Sequence, residues 1–321
     1  MTDTLYQAYL PLLIWTGLGF VLCRFVPDAV PRLLGRSLYW IGIPLEIFTL
    51  ARQTDFAASA KLTPFVMVGA LVVGVGLAGS SLKLVQWRSL HRPEGASPAL
   101  PTNWQLRSRQ GSFILSSILG NTGFVGLAIA PTFIDPAYQG WIVFYSVAHN
   151  LIGTYGIGVA IASYFGRDEQ QNHWWVQLRD VLTVPSLWAF GLGTLTRSVP
   201  FPDLVEAGLQ RSIWAVIPGA LVLMGVRLSQ LQGLKSLQLA IVPAVLKVLV
   251  IPLLVGIATT LLHFAPPARL AMVLMSGMPT AFAGLILAEE YELDRELIAS
   301  SILLTTFVLL MVIPVWLLIF G

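Results

Sequence analysis

The sequence predicts an all-α integral membrane protein with ten transmembrane helices in two inverted five-helix repeats, helices 4 and 9 being broken. Composition, block length and internal similarity lead there. Of the 321 residues, 56% are hydrophobic and 11% charged, against roughly 25% charged in a soluble globular chain. So little polar surface cannot cover a water-soluble fold, and the mean hydropathy of +0.77 agrees. The apolar residues fall in blocks of about 20, the length a hydrocarbon layer about 30 Å thick requires of a helix.

Charge and Pro/Gly punctuation bound the blocks in order. Helix 1 (5–26) follows the polar start Thr2-Asp3-Thr4; Met1 to Tyr6 has no basic run and no small-residue cleavage pattern follows, so this helix is expected to be retained. Helix 2 (37–51) lies between Arg36 and Arg52, helix 3 (62–84) begins after Lys61, helix 4 (110–134) after Arg109, and helix 5 (140–164) before Arg167. The second half gives helix 6 (181–196), helix 7 (212–228), helix 8 (237–263), helix 9 (267–289) and helix 10 (297–320). Gln86 to Ser108, with Pro93, Pro98 and Pro101, reads as an exposed connection, not as a domain.

Lys and Arg mark the cytoplasmic side. Thirteen follow odd-numbered helices, namely Arg24, Arg32, Arg36, Lys83, Arg88, Arg92, Arg107, Arg109, Arg167, Arg179, Arg227, Lys235 and Arg295. Arg52, Lys61, Arg197, Arg211 and Arg269 lie on the other side, and Lys247 lies within a helix. Both termini are therefore expected outside the cytoplasm, in a cytoplasmic (inner) membrane. Because the basic residues sit between apolar blocks and form no aromatic-interleaved patch, they are topology signals and no nucleic-acid partner is expected. With Cys23 as its single cysteine, the chain can form neither an intrachain disulfide nor a thiolate metal cluster.

The two halves resemble each other. Pro11-Leu12-Leu13 with Gly17-Leu18-Gly19 matches Pro185-Ser186-Leu187 with Gly191-Leu192-Gly193, at an offset of 174. Arg36-Ser37, Pro44 and Arg52 match Arg211-Ser212, Pro218 and Arg227 at 174 or 175, and Phe124 to Ala130 parallels Phe282 to Ala288 at 158. Five helices per unit is an odd number, so the second unit (175–321) must enter from the opposite face to the first (1–165). Such inverted halves can exchange conformations around a central site.

Helix 4 contains Gly120-Asn121-Thr122-Gly123 and helix 9 contains Gly277-Met278-Pro279-Thr280-Ala281, each near mid-span. Gly costs about 1 kcal/mol and Pro about 3 kcal/mol in a helix interior relative to Ala. If both helices unwind there, half-helices beginning near Phe124 and Phe282 turn unpaired N–H groups and positive dipole ends toward the bilayer centre, an anion site. Half-helix ends at Gly120 and Gly277 offer carbonyls suited to a cation such as sodium. The expected substrate-binding residues are Gly120, Asn121, Thr122, Gly123, Met278, Pro279 and Thr280.

Gly120-Asn121-Thr122-Gly123-Phe124-Val125-Gly126-Leu127, Met278-Pro279-Thr280, Ala288-Glu289-Glu290-Tyr291, Leu293-Asp294 and Ser300-Ser301 resemble the auxin efflux carrier family. Its relatives include PIN-type auxin exporters, bacterial carriers of malonate and similar acids and, more distantly, bile acid sodium symporters. The resemblance implies a scaffold of helices 1, 2, 6 and 7 and a moving transport domain of helices 3 to 5 and 8 to 10. It also implies that Asn121 and Pro279 are the asparagine and proline of the crossover. Many relatives have a proline in or just after the helix 4 break, where this chain has Gly120 and Ala128; the resemblance therefore does not carry over a substrate.

Lys247, about ten residues into helix 8, needs a partner at that depth. It is read either as a counter-ion to a substrate carboxylate or as an ammonium that fills the sodium space of sodium-coupled relatives and braces the break; a plain carbonyl contact is the structural alternative. Glu46 can carry a proton or reach the outer interface near Arg52. His149 can relay protons or simply pack, and it points about 100° from Asn150 in an α-helix. Sodium or proton coupling is thus open, and no other cofactor is expected. Glu289, Glu290, Glu292, Asp294 and Glu296 could gather a divalent metal, but they read better as solvated charge, with Asp294 capping helix 10. Ser300, Ser301, Thr305 and Thr306 read as backbone-bonding hydroxyls.

Together these residues point to a secondary transporter, not an enzyme, that moves a small organic anion, expected to be a carboxylate, by alternating access. Its partners would be that anion, the lipid bilayer and a second copy in a homodimer. Two rivals stand beside it: a receptor or regulator on the same scaffold, and an intramembrane hydrolase using Ser112 or Ser117 with His149, for which no nucleophile-elbow motif is present.

Overall fold

A computed structural model describes residues 2–27, 29–53, 62–91, 104–166, 174–230 and 235–321, and the described residues form helices and no strand. In chain order the helices are α1 (Thr2–Leu22), α2 (Ala29–Ser37), α3 (Ile43–Gln53), α4 (Thr63–Leu90), α5 (Arg107–Ile118), α6 (Leu127–Ile129), α7 (Gln139–Ala148) and α8 (Val159–Gly166). They continue as α9 (Trp174–Leu182), α10 (Pro185–Leu195), α11 (Asp203–Ser229), α12 (Lys235–Ala244), α13 (Ile251–Leu261), α14 (Pro266–Ser276), α15 (Phe282–Glu290) and α16 (Arg295–Phe320). π-Helical turns at Leu38–Gly42, His149–Gly158 and Val245–Val250 join α2 to α3, α7 to α8 and α12 to α13, and a fourth, Thr122–Gly126, leads into α6.

Six stretches among the described residues are long and apolar enough to cross a membrane: Leu5–Leu22, Thr63–Arg88, Pro136–Gly166, Asp203–Ser229, Leu237–Leu261 and Arg295–Phe320. Predicted helices 2, 4, 6 and 9 are each assembled from shorter pieces. Helix 6 is divided because Pro185 opens α10 and holds Val184 extended, at φ −67° and ψ 122°. Two helices start well before their apolar blocks, at Ala29 and Asp203. In α2, Arg32 and Arg36 are exposed while Pro31 and Gly35 are buried, so an amphipathic first stretch hides from a hydropathy reading. The expected connection 86–108 begins late, since α4 runs to Leu90; its residues 92–103 lie outside the described ones.

Small residues set the closest packing. Here α1 lies along α11, and α3 along α10. A Cβ on Gly19 would strike the Val222 carbonyl, and one on Gly193 would strike the Phe48 carbonyl. Gly19 and Gly193 are 174 residues apart, as are Phe48 and Val222. The same backbone-close contact is therefore built twice from segments related by the repeat offset. Elsewhere α12 packs on α16, α13 on α14, and α4 on α5 and α7. Trp40, Trp87, Trp174, Trp175, Trp188 and Trp214 are exposed, as befits amphipathic rings at a membrane–water interface.

Candidate functional site at the helix crossing

The α5 helix ends at Ile118, and Leu119 leaves it extended. The Asn121 side chain then restarts the helix: its Oδ1 accepts from the N–H groups of Phe124 (3.2 Å) and Val125 (3.4 Å), and its carbonyl accepts from Gly126 N at 2.9 Å. This is N-capping inside a predicted span. In the second half, α14 stops at Ser276 and α15 begins at Phe282, after an extended Ala281.

The two breaks cross antiparallel. Asn121 N donates to Pro279 O at 2.7 Å, Ala281 N donates to Leu119 O at 2.9 Å, and Gly120 pairs with Thr280. Each break thus satisfies main-chain groups freed in the other, which lets unwound backbone persist away from water. The sequence located both breaks; it held no signal that they would hydrogen-bond to each other.

Three side chains from other elements support the crossing. Lys247, in the Val245–Val250 turn and 2% exposed, donates from Nζ to Ser276 O at 2.6 Å, at the negative C-terminal end of α14. Its Nζ would lie 2.9 Å from a Cβ on Gly120, so a side chain there would push the amine aside. His149 Nε2 accepts from Gly120 N at 3.4 Å, while its Nδ1 has no hydrogen-bond partner among the described residues. Thr280 N donates to Thr305 Oγ1 at 3.0 Å, and Thr280 Oγ1 donates to Ser116 O at 2.9 Å. Thr305 in turn donates to Ser301 O. The sequence reading gave Thr305 a bond to a neighbouring backbone without saying which; its spacing of four from Ser301 was the available hint of a shared face.

Of the other expected site residues, Thr122 is buried with its hydroxyl unpaired, and Met278 packs against Gly126. Gly123 faces Asn150 and Glu46: a Cβ there would lie 3.0 Å from Asn150 Nδ2 and 3.6 Å from Glu46 Oε1. Asn150 and Tyr155 line a cavity of about 20 Å³ with Glu46, Asn121, Gly123 and Phe282. That is room for about one water, so the crossing is closed around no cargo-sized space. Two wider clefts, of about 210 and 470 Å³, lie on the side of the α15 C-terminus and share Glu290. Tyr39 lines the larger, and its ring meets the Tyr155 ring edge-on at 6.1 Å. An aromatic pair therefore stands between cleft and cavity.

Glu46 does not reach Arg52. That guanidinium donates to Thr196 O, to Val199 O at 3.0 Å and to Glu206 Oε1 at 2.5 Å, and stacks over Phe201. Near the turn after α15, Glu289 pairs with Arg227 at 2.8 Å and Asp294 with Arg109 at 2.9 Å, while Asp294 Oδ1 caps α16 by accepting from Leu297 N. The hydroxyls of Ser112 and Ser117 donate to the carbonyls of Asp294 and Phe113, and His149 is engaged with Gly120. Neither serine is paired with the imidazole, as an activated nucleophile would be.

An apolar helical bundle with hydrogen-bonded helix breaks at its centre, carrying a buried ammonium, is the build of a membrane transporter. Residues 105–317 match the family described as membrane transport protein, and the chain belongs to it, the auxin efflux carrier family. That is a family of transporters, not of enzymes. An uncharacterised transporter of Methanocaldococcus jannaschii is 28% identical over 215 residues, covering 64% of this chain and 67% of that one. An uncharacterised transporter of Methanothermobacter thermautotrophicus is 22% identical over 317 residues, covering 97% and 96%.

Proposed function

We propose that the protein is a secondary carrier of a small organic anion, a carboxylate, working by alternating access around the crossing. The observation that carries this reading is the pair of half-helix starts at Asn121 and Phe282, which bring positive dipole ends to one small cavity near the Lys247 ammonium. In this reading the Lys247 contact with the Ser276 carbonyl is one state of a residue with two uses. It braces the α14 end in the closed state, and its charge favours an anion when the crossing opens.

Ten spans in two inverted repeats make up the architecture in this reading. The twice-built contact of Gly19 with Val222 and Gly193 with Phe48 supports it, and so does the pairing of breaks at equivalent positions. Helices α1, α2, α3, α10 and α11 form the scaffold, and the elements around the crossing move against them by rocking or an elevator step. The protein lies in the cytoplasmic membrane with both termini outside, and a homodimer is the assembly to look for.

Melting the purified protein against a panel of organic acids, in sodium and in potassium, tests the anion reading. A stabilising shift of several degrees with at least one carboxylate is expected. No shift with any acid in either salt would sink it.

A further inference from the structure

The main-chain groups that open α15 present donors to the central cavity. Phe282 and Ala283 are the first residues of α15, so their N–H groups have no intrahelical acceptor. Gly123 and Phe124 open the other half-helix, whose positive end meets the same space. Into it projects the Glu46 carboxyl, 2% exposed, with Oε1 unpartnered and 3.6 Å from the Cβ position of Gly123. An ionised Glu46 is therefore a built-in anion at the place where the half-helix ends would receive a substrate carboxylate. Two like charges in one space of low dielectric do not both stay ionised.

We infer that Glu46 is a reversible proton site that links anion entry to proton uptake: a proton from bulk water neutralises the carboxylate and frees the half-helix ends for the incoming anion. The coupling rests on the organic-anion reading; the proton site does not. No bond other than O–H forms, and the proton leaves to water when the anion departs. Its route is the 470 Å³ cleft, from which Tyr39 and Tyr155 lead to the cavity.

Among the described residues, the ionisable groups around Glu46 leave its Oε1 unpaired. The His149–Gly158 turn brings Tyr155, α7 brings the buried Tyr145, and α10 carries no ionisable side chain. On α11, Asp203, Glu206 and Arg211 lie in the first three turns and Arg227 near the end. His149 and Lys247 are engaged at Gly120 and Ser276, and Arg52 is held by Glu206.

Infrared difference spectroscopy of the full-length protein in lipid nanodiscs, titrated from alkaline to acid, reads the group directly. Wild type is expected to gain a protonated-carboxyl C=O band that Glu46→Gln lacks and Glu46→Asp shifts. An unchanged band in Glu46→Gln would overturn the proton site. Acetate, succinate and benzoate are then added. A probe acid that raises the melting temperature is expected to move the midpoint of this band to higher pH, since a bound anion favours the neutral carboxyl. An acid that raises the melt and leaves the midpoint in place overturns the coupling and spares the anion reading. If no acid raises the melt, the anion reading and the coupling fall together, and the band alone decides the proton site.

Discussion

Lys247 holds the carbonyl of Ser276 at 2.6 Å, so a buried ammonium closes the end of one half of a broken helix. The bond joins the Val245–Val250 turn, which continues into α13, to α14, the helix on which α13 packs. A charge-assisted bond of this kind contributes about 1.5–3 kcal/mol. Lys247→Met keeps the volume and leaves one acceptor unpaired, a loss of about 1–3 kcal/mol. Lys247→Ala adds a cavity and falls further, by about 2–5 kcal/mol for truncating a long side chain. Thermal unfolding should rank wild type, Met and Ala in that order, and neither variant should keep the melting shift given by an organic acid. A retained shift in Lys247→Met would remove Lys247 from the anion site.

Gly193 and Gly19 should respond alike, because each lies against the main chain of a partner helix at equivalent positions. Gly19→Val and Gly193→Val must push apart α1 from α11 and α3 from α10, at a cost of about 1–3 kcal/mol each for overpacking. Gly191, two residues from Gly193 in the same motif and so on nearly the opposite face of the helix, has nothing within 4 Å of a Cβ. Gly191→Ala should be neutral or stabilise by about 0.5–1 kcal/mol through helix propensity. Unequal losses at Gly19 and Gly193 in denaturant titrations would show that the two contacts are not equivalent.

Much of this fold was legible because lipid simplifies the code. Apolar block length located the long helices, and the 174-residue echo of Gly17-Leu18-Gly19, legible as a repeat, falls where α1 and α10 meet their partner helices. Gly120 to Gly123 and Gly277 to Ala281 announced the breaks through propensity alone. Hydropathy was blind where a helix is amphipathic, as in α2, and where the partner is remote in sequence. Asn121 and Pro279 are neighbours only because two breaks meet, and Glu46 faces Gly123 and not Arg52 because Glu206 claims the guanidinium. Such choices between long-range partners leave no local pattern.

Arg227 and Arg52 occupy matching repeat positions yet have different work. Arg52, with 5% of its side chain exposed, is held by two carbonyls and Glu206, all from segments next to α10 and α11. Arg227 reaches from α11 to Glu289 on α15, with the two side chains 19% and 27% exposed. Such a part-exposed pair is worth about 0.2–1 kcal/mol. Arg52→Ala should therefore lower the melt measurably. Arg227→Glu and Glu289→Arg should leave it nearly unchanged but alter counterflow of a transported acid several-fold, and the double reversal should restore the rate. Full activity in both single reversals would show that the pair does not span moving parts.

Asn121 separates the needs of the backbone from those of the anion. Its Oδ1 caps Phe124 and Val125, and losing such a cap costs about 0.5–2 kcal/mol. Asn121→Ala should lose that stability together with transport. Asn121→Ser keeps an acceptor at the cap and should recover much of the stability. Asn121→Asp keeps the cap as well, and its charge suits the positive end of the half-helix; because the new carboxylate shares the cavity with Glu46, only one of the two stays ionised, and its melt should match wild type where Glu46 is protonated. That same charge stands where the incoming carboxylate would bind, and it repels it. Asn121→Asp should thus be stable and transport-dead, with no melting shift from any acid. Normal flux in proteoliposomes by Asn121→Asp would place the anion elsewhere than the crossing.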